Sequence, residues 1–371
     1  MKKSNLFFVL LTALIVMSCS KDETTMSIPQ ESNAIEFGTY VGRDAQTRAS
    51  VFTTSELASQ GFGVFAYYTG TATYAEWLAN TEVTSKAPNF MNNQKVAATG
   101  TGEPIVYTWS YSPIKYWPNN DGDKVTFLVY APWVASPTLN DGGTFDFVVQ
   151  NEITAQTDLV WNTSSHINKP KAVVGAAGVV NFTFGHALAR IGLLLEAAVD
   201  QVAVGGTLDA NTTITVNSVT FSDSFYTGGT LDLTATSATW GTLTGTQGFV
   251  FNTTNSNLQN NVITGESHKT PLQLNTNESY LMVIPQDFSS TGFDVTVDYN
   301  VVTTDPTTDG TGGGGSDINN TITRPVNLKL EAGKAYTLKL HIGMNSVDIT
   351  ATVTPWSDVT PETVVNVPIN N

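Results

Sequence analysis

Few side chains of this chain belong to the types that bind metals or act as nucleophiles. The four histidines, His166, His186, His268 and His341, do not have the mutual spacing of a zinc-binding motif. Cys19 is the only cysteine, so an internal disulfide is excluded, and no Gly-x-Ser-x-Gly segment is present. Paired carboxylates for glycoside hydrolysis are disfavoured by the low charge content. We therefore expect a protein that is not an enzyme and that holds no metal or other cofactor.

Residues 305–317 combine acidic side chains with a run of glycines. A phosphate-binding loop would require Gly-Lys-Ser/Thr entering a helix, and that sequence is missing here. The composition predicts a flexible hairpin loop, and a calcium site formed by the acidic side chains is the weaker alternative.

An aromatic segment offers a different kind of chemistry. Tyr107, Trp109 and Tyr111 alternate along the chain and would fall on one face of a strand. An exposed row of rings could stack on sugar faces and act as a glycan-binding platform. Large rings more often fill a hydrophobic core, and we favour the core while the glycan platform stays open as an alternative.

The overall composition restricts the fold that must position these residues. The chain has 371 residues, with 17 Lys and Arg against 32 Asp and Glu, and a formal net charge of -15. So acidic a balance excludes nucleic acid as a partner, because phosphate binding requires clustered basic side chains. The length suggests two domains. Charged residues make up 13%, about half of the usual ~25%, and the abundance of Thr, Asn, Ser and Gly favours strands and turns.

The N-terminus has the features of a secretion signal. Lys2 and Lys3 precede an apolar run from Leu6 to Met17, which is shorter than the ~20 residues that a transmembrane helix needs. The segment Val16-Met17-Ser18-Cys19 resembles a bacterial lipobox, which predicts a signal peptide over residues 1–18 and acylation of Cys19 by palmitate-like chains. Such chains would anchor the protein to the outer membrane. Ser20-Lys21-Asp22-Glu23 resembles a surface-export signal, and residues 19–33 would form a polar tether.

Period-two alternation of apolar residues begins after this tether and predicts an all-β protein. The first strand would bury Ile35, Phe37, Thr39 and Val41 on one face. The alternation from Ile214 to Phe221 changes phase between Val216 and Val219, which predicts a β-bulge. Short helical pieces are predicted near Leu57 and at residues 74–80. Further strands are predicted at residues 61–68, 125–130, 295–301, 326–330, 336–342 and 347–353.

We place a domain boundary near residue 180, after a Gly- and Ala-rich turn, which gives domains at residues 34–180 and 181–371. The C-terminus carries another alternating face, formed by Val365, Val367 and Ile369. Pro368 cannot donate a hydrogen bond to a neighbouring strand, but it falls on the opposite face.

Several segments, in the same order along the chain, resemble the fimbrillin-like (Mfa-like and FimA-like) family of surface lipoproteins. They cover nearly all of the chain that would follow the signal peptide: residues 87–96, 109–118, 123–127, 184–191, 284–286, 333–338 and 353–356.

The resemblance implies two transthyretin-like Greek-key β-sandwich domains in tandem and a role as a type V pilus subunit or related surface adhesin. In that family an Arg-specific surface protease cleaves the exported lipoprotein, and a strand from another pilus subunit replaces the strand that is lost. Thr47-Arg48-Ala49-Ser50 resembles the cleavage motif, so the implied cut lies between Arg48 and Ala49, with Arg43 as the less favoured alternative.

The residues themselves are consistent with this mechanism, because a strand lost from a sandwich leaves an apolar groove with unpaired backbone groups. The C-terminal face of Val365, Val367 and Ile369 is the candidate donor strand, and an ordinary edge strand is the alternative. The alternative is a permanently anchored monomer that binds a glycan or another host or microbial surface ligand through its loops or through Tyr107, Trp109 and Tyr111.

Overall fold

The structure is a computed structural model that describes most of the chain after residue 32. The described residues are 33–41, 54–101, 106–120, 122–164, 178–197, 208, 210–264, 271–276, 279–305, 314–356 and 363–365. Cys19, Arg43, Arg48, Ala49, Val367 and Ile369 lie outside them. Within the described residues, no helix has the length and apolar character needed to cross a membrane.

The described part of the chain is built almost entirely from strands, as the sequence predicts. The helical elements are α1 (Thr54–Gln60), α2 (Tyr74–Ala79) and a single 3-10 turn (Ile153–Ala155). The strands are β1 (Glu36–Val41), β2 (Phe62–Gly70), β3 (Met91–Thr101), β4 (Val106–Ser110), β5 (Lys124–Ala131), β6 (Thr144–Val148), β7 (Val160–Asn162), β8 (Val179–His186), β9 (Ala189–Ala197), β10 (Thr212–Asp232), β11 (Trp240–Asn252), β12 (Val262–Thr264), β13 (Leu272–Gln273), β14 (Leu281–Val283), β15 (Gln286–Asp287), β16 (Phe293–Asp305), β17 (Gly314–Val326), β18 (Lys329–Leu330), β19 (Lys334–Ile342), β20 (Val347–Pro355) and β21 (Thr363–Val365).

The strands from the first half of the chain form a seven-stranded sheet in the order β1-β8-β7-β5-β2-β3-β4. Its central strands β2 and β5 are buried on both faces, which explains their nearly continuous apolar sequence. Phe62 and Val64 of β2 face a core shared with β1, whereas Phe65 and Tyr67 face a second core shared with β9 and β10.

The later strands form two six-stranded sheets that enclose the second core. One contains β11-β10-β16-β17, joined by β6 and β12, and the other contains β13-β9-β19-β20-β21, joined by β14. The predicted β-bulge is confirmed, because the pairing of β10 with β16 shifts register between Val216 and Ser218. Inward-facing Val295, Val297 and Tyr299 of β16 are buried, as the alternation predicts.

Other sequence predictions are confirmed with changed boundaries. The helical pieces near Leu57 and at residues 74–80 correspond to α1 and α2. The predicted strand at residues 326–330 is instead divided between the end of β17 and β18. The predicted hairpin at residues 305–317 is present, but β16 and β17 extend into it and pair up to Asp305 and Gly314.

The sheets also bear on the predicted domain boundary near residue 180. β8 belongs to the seven-stranded sheet, and β9 is the first strand of the sheet that contains the C-terminal strands. β6, however, precedes both of these strands in the chain and pairs with β10, so sheet membership does not divide the chain at a single point. The division into two tandem domains stays a prediction.

Candidate functional site

The strand β1 is the segment that the predicted cleavage would remove, and its backbone pairs with a neighbouring strand along one edge. One edge pairs in parallel with β8, with Phe37 opposite Val180. On the other side, the Ile35 N–H donates to the Lys115 carbonyl over 2.9 Å, and the Trp117 N–H donates to the Asn33 carbonyl over 2.8 Å. β1 is thus the edge strand of its sheet, and the residues just before it are also bonded to the segment around Lys115 and Trp117.

The side chains of β1 alternate between the first core and the surface. Ile35 and Phe37 are only 1% and 6% exposed, whereas Glu36 between them is exposed. The ring of Phe37 is surrounded by four other rings, which we call the Phe37 ring box. Its members, with centroid distances to Phe37, are Tyr111 (5.2 Å), Phe182 (5.5 Å), Phe127 (5.8 Å) and Phe62 (6.1 Å).

Tyr111 connects this ring box to the backbone of β1. Its hydroxyl donates a hydrogen bond to the Ile35 carbonyl over 2.7 Å and accepts one from the Lys115 N–H over 3.3 Å. Burial raises the pKa of Tyr111, so the phenol stays protonated and able to donate at neutral pH.

Trp117 fills the space beside the start of β1. It is buried and packs against Phe127 with a centroid distance of 6.0 Å. Its indole N–H donates to the carbonyl of Gly178 over 3.0 Å. Gly178 has a φ of +71°, and a Cβ there would lie 3.0 Å from the indole nitrogen, so glycine suits both the backbone and the close approach. If β1 were removed, the resulting first-strand groove would be lined by the ring box and Trp117.

The candidate glycan platform lies beside this groove. Tyr107 and Trp109 are half-buried on one face of β4, and Tyr111 follows the end of the strand. Trp109 lies 5.1 Å from the ring of Phe62, and both Trp109 and Tyr111 pack against the first core. A glycan-binding role for the three rings stays a prediction.

The candidate donor segment begins inside the described structure. β21 pairs antiparallel with β20, placing Val365 opposite Ala351 at the edge of the C-terminal sheet. The remaining residues of the predicted donor face, Val367 and Ile369, are outside the described residues, as are the predicted lipid and cleavage sites Cys19, Arg48 and Ala49.

Comparison with known proteins assigns the family. The sequence model described as fimbrillin-like matches residues 47–356. The chain belongs to the fimbrillin-like family.

A curated relative and a solved structure are similar to this chain. The chain is 32% identical to the fimbrium subunit Fim1C of Phocaeicola vulgatus over 207 residues, which are 52% of this chain and 50% of the relative. The match thus spans about half of that curated relative. The crystal structure of a fimbrial protein from Bacteroides vulgatus is 22% identical and has a TM-score of 0.60, covering 87% of this chain and 99% of that one. This second likeness shows that the fold is shared.

Three of the segments that resemble the fimbrillin-like family meet at one place in the structure, which the sequence does not indicate. His186 lies with its ring parallel to the indole of Trp356, at a centroid distance of 4.4 Å and an angle of 3°. The backbone N–H of Trp356 donates to the Gly333 carbonyl over 2.8 Å, and the backbone N–H of Gly333 donates to the Leu188 carbonyl over 2.9 Å. We call this the His186–Trp356 cluster.

Charged groups complete the His186–Trp356 cluster. The Nδ1 atom of His186 lies 2.6 Å from Oδ2 of Asp158, whose side chain is fully buried. The guanidinium of Arg190 lies 4.4 Å from the ring of Tyr280 and 5.3 Å from that of Trp356. Stacking and cation–π contacts thus fix the end of β20, which directly precedes the C-terminal segment.

The cluster does not have the composition of a metal site. In the described ranges, no three His, Cys, Asp or Glu side chains are grouped closely enough to hold a metal ion. Asp158 instead serves as the buried hydrogen-bond partner that orients His186 against Trp356.

Proposed function

We propose that this chain is a structural subunit or adhesin of a type V fimbria. It would be exported as a lipoprotein anchored to the outer membrane through Cys19, cleaved after Arg48 by an Arg-specific surface protease, and joined to other pilus subunits by strand exchange. Family membership and the name of the relative, a fimbrium subunit, support the pilus role. Before cleavage the subunit would be held at the outer membrane, and afterwards it would belong to the fimbrium on the cell surface.

The observation that carries this proposal is the position of β1 relative to Arg48. β1 ends at Val41 and the next described element, α1, begins at Thr54, so Arg48 lies between the two in the sequence. A cut there would leave β1 attached to the rest of the fold by non-covalent contacts alone. The same cut would separate the predicted lipid on Cys19 from the remaining chain.

The energetics favour replacement of β1 after it has left. Burial of a large apolar side chain contributes about 1.5 to 3 kcal/mol, and both Ile35 and Phe37 are buried. Loss of both would remove a large part of a domain stability that is typically ~5 to 15 kcal/mol. The exposed edge of β8 would also present unpaired backbone groups to any extended segment. Strand addition from another subunit would restore both kinds of contact.

Incubation of the purified precursor with an Arg-specific protease tests the proposal. We expect a new N-terminus at Ala49 and an SDS-resistant ladder of subunits on electrophoresis. Arg48→Lys should prevent both, because the protease does not cleave after lysine, and Arg43→Lys should leave both unchanged.

One result would contradict the proposal that this chain is a pilus subunit. Surface-extracted protein whose chain always starts at acylated Cys19 and never forms oligomers would contradict the pilus-subunit proposal. It would favour the permanently anchored monomer.

A further inference from the structure

A cleft of about 480 Å³ lies between β11 and the turn that carries β15. Volumes of this order are typical of sites that bind small molecules. The cleft is lined by residues of β10, β11 and the segment 285–291, and it shares no residue with the Phe37 ring box or with Trp117. It is therefore separate from the first-strand groove.

Three side chains give this cleft an apolar surface. Leu243 of β11 is 36% exposed, Tyr226 of β10 is half-buried, and Phe288 is buried. Tyr226 also packs against the second core, so the contacts that hold the sheet fix its position. A pyranose ring has a face of C–H groups that packs well on aromatic and aliphatic side chains of this kind.

Polar side chains in the same cleft supply groups that bind sugar hydroxyls. Ser224 and Thr246 contribute hydroxyls, and Asp287 contributes an exposed carboxylate. Oδ1 of Asp287 accepts hydrogen bonds from the hydroxyl and the backbone N–H of Ser289, which leaves Oδ2 available to a ligand. These bonds lower the pKa of Asp287, so the carboxylate is ionised at neutral pH and accepts strong hydrogen bonds.

The side chain of Gln286 fixes the geometry of the cleft. Its Oε1 accepts the Tyr226 N–H over 2.9 Å, and its Nε2 donates to the Ser224 carbonyl over 3.1 Å. Along β10, the pairing with β16 ends at Phe221 and the pairing with β6 begins at Gly228, so Gln286 bonds the backbone between these two partners. A site held in place in this way binds its ligand without first having to become ordered.

Charge around the cleft favours a neutral ligand. Lys329 lies opposite Asp287 in the pairing of β15 with β18, but it forms an ion pair with Glu331 over 3.1 Å. The chain as a whole has a net charge of -15. The carboxylate of an acidic sugar would meet like charge at Asp287, whereas a neutral sugar would not.

We propose that this cleft binds a neutral saccharide. The C–H face of a pyranose ring packs on Tyr226 and Leu243, and the sugar hydroxyls form hydrogen bonds with Asp287, Thr246 and Ser224. The subunit would then act as an adhesin in its own right. This proposal goes beyond the assembly function and does not depend on strand exchange.

Saturation-transfer difference NMR on the purified precursor tests the proposal. The probes are D-glucose, D-galactose and D-mannose, each measured beside its own uronic acid, which differs by one carboxylate. Asp287→Asn removes the charge but keeps the shape of the side chain, and Tyr226→Leu removes the aromatic ring but keeps an apolar side chain. The matched controls are Asp294→Asn and Tyr116→Leu, because both residues are exposed and lie outside the cleft.

We expect saturation of at least one neutral sugar, strongest at the C–H protons of one ring face. Its Kd should rise about tenfold or more in Asp287→Asn and in Tyr226→Leu and stay within about twofold in the two controls. The matching uronic acid should bind about tenfold more weakly than the neutral sugar.

Three results would overturn the proposal. They are no saturation of any of the three neutral sugars, a Kd that Asp287→Asn or Tyr226→Leu leaves unchanged, and a uronic acid that binds as tightly as its neutral sugar. None of them alters the SDS-resistant ladder expected after cleavage, so failure of the saccharide site and failure of strand exchange are distinguishable.

Discussion

The hydroxyl of Tyr111 donates a hydrogen bond to the backbone carbonyl of Ile35 over 2.7 Å, and its ring lies 5.2 Å from that of Phe37. One side chain thus holds β1 both by a hydrogen bond and by ring packing. Since β1 is the strand that cleavage would release, Tyr111 is expected to control how firmly it is held.

Tyr111→Phe keeps the ring and removes only the hydroxyl. We expect it to lower the free energy of unfolding of the precursor by about 1 kcal/mol, because the Ile35 carbonyl and the Lys115 N–H lose a buried partner. Urea denaturation measures this change. Tyr116→Phe is the control, because Tyr116 is 60% exposed and should change stability by less than about 0.5 kcal/mol. Equal effects of the two substitutions would show that the hydrogen bond is unimportant.

Phe37→Ala empties the ring box. A loss of about 3 to 5 kcal/mol is expected, the usual cost of truncating a buried phenylalanine. Glu36→Ala on the opposite face should cost less than about 0.5 kcal/mol. Thermal and urea denaturation of the uncleaved precursor separate the two variants. A Phe37→Ala protein as stable as Glu36→Ala would mean that β1 contributes little to the fold.

Local sequence patterns were sufficient to predict several of the strands. Alternation predicts the buried face of β1 at Ile35 and Phe37, and the change of phase after Val216 predicts the bulge in β10. Both signals are local, because side chains alternate between faces with period two and a bulge inserts one residue into that alternation.

Strand pairing could not be predicted in the same way. The parallel pairing of β1 with β8 joins residues more than a hundred positions apart, and no periodicity within either strand specifies its partner. For the same reason the contact between His186 and Trp356 was not predicted, although both lie in segments that resemble the family. Sequence placed Tyr111 among the candidate rings, but its hydrogen bond to β1 depends on that long-range pairing.

The stacking of Trp356 on His186 gives a separate prediction for stability. Trp356 is 2% exposed, and its indole N–H has no hydrogen-bond partner in the described part of the chain. Trp356→Phe keeps an aromatic face and gives up no hydrogen bond, so we expect a loss of only about 1 to 2 kcal/mol. Trp356→Ala should lose about 3 to 5 kcal/mol. Chemical denaturation measures the free energy of unfolding of both variants. Equal losses in Trp356→Phe and Trp356→Ala would refute the stacking role, because the phenylalanine ring could then not replace the indole on His186.

His341 gives a prediction about pH. Burial lowers the pKa of His341, and this effect outweighs the opposing attraction of the Glu196 carboxylate, which lies 3.6 Å from Nδ1. The unfolded chain therefore binds the proton more readily, so this residue's contribution to stability is present above its unfolded pKa of ~6.5 and is lost as the pH falls below it.

Titration of the His341 ring signals by NMR measures this pKa directly. We expect a value below the ordinary one and a further decrease in Glu196→Gln, which removes the attraction that favours the charged ring. His341→Gln should flatten the dependence of the melting temperature on pH between about 5 and 7. A His341 pKa above the ordinary value would show that the carboxylate outweighs burial.

Substitution of Trp109 tests whether its ring belongs to the hydrophobic core or to a glycan-binding platform. Its ring lies 5.1 Å from that of Phe62 and is half-buried, so Trp109→Ala is expected to destabilise the precursor by about 2 kcal/mol, less than a fully buried ring would. Thr108→Ala, on the exposed face of the same strand, is the control and should have little effect. Urea denaturation and glycan-array binding are measured on both variants. A ring that packs against Phe62 cannot be removed without loss of stability. If Trp109→Ala abolishes binding to the glycan array and leaves the free energy of unfolding unchanged, the result would therefore support the glycan platform.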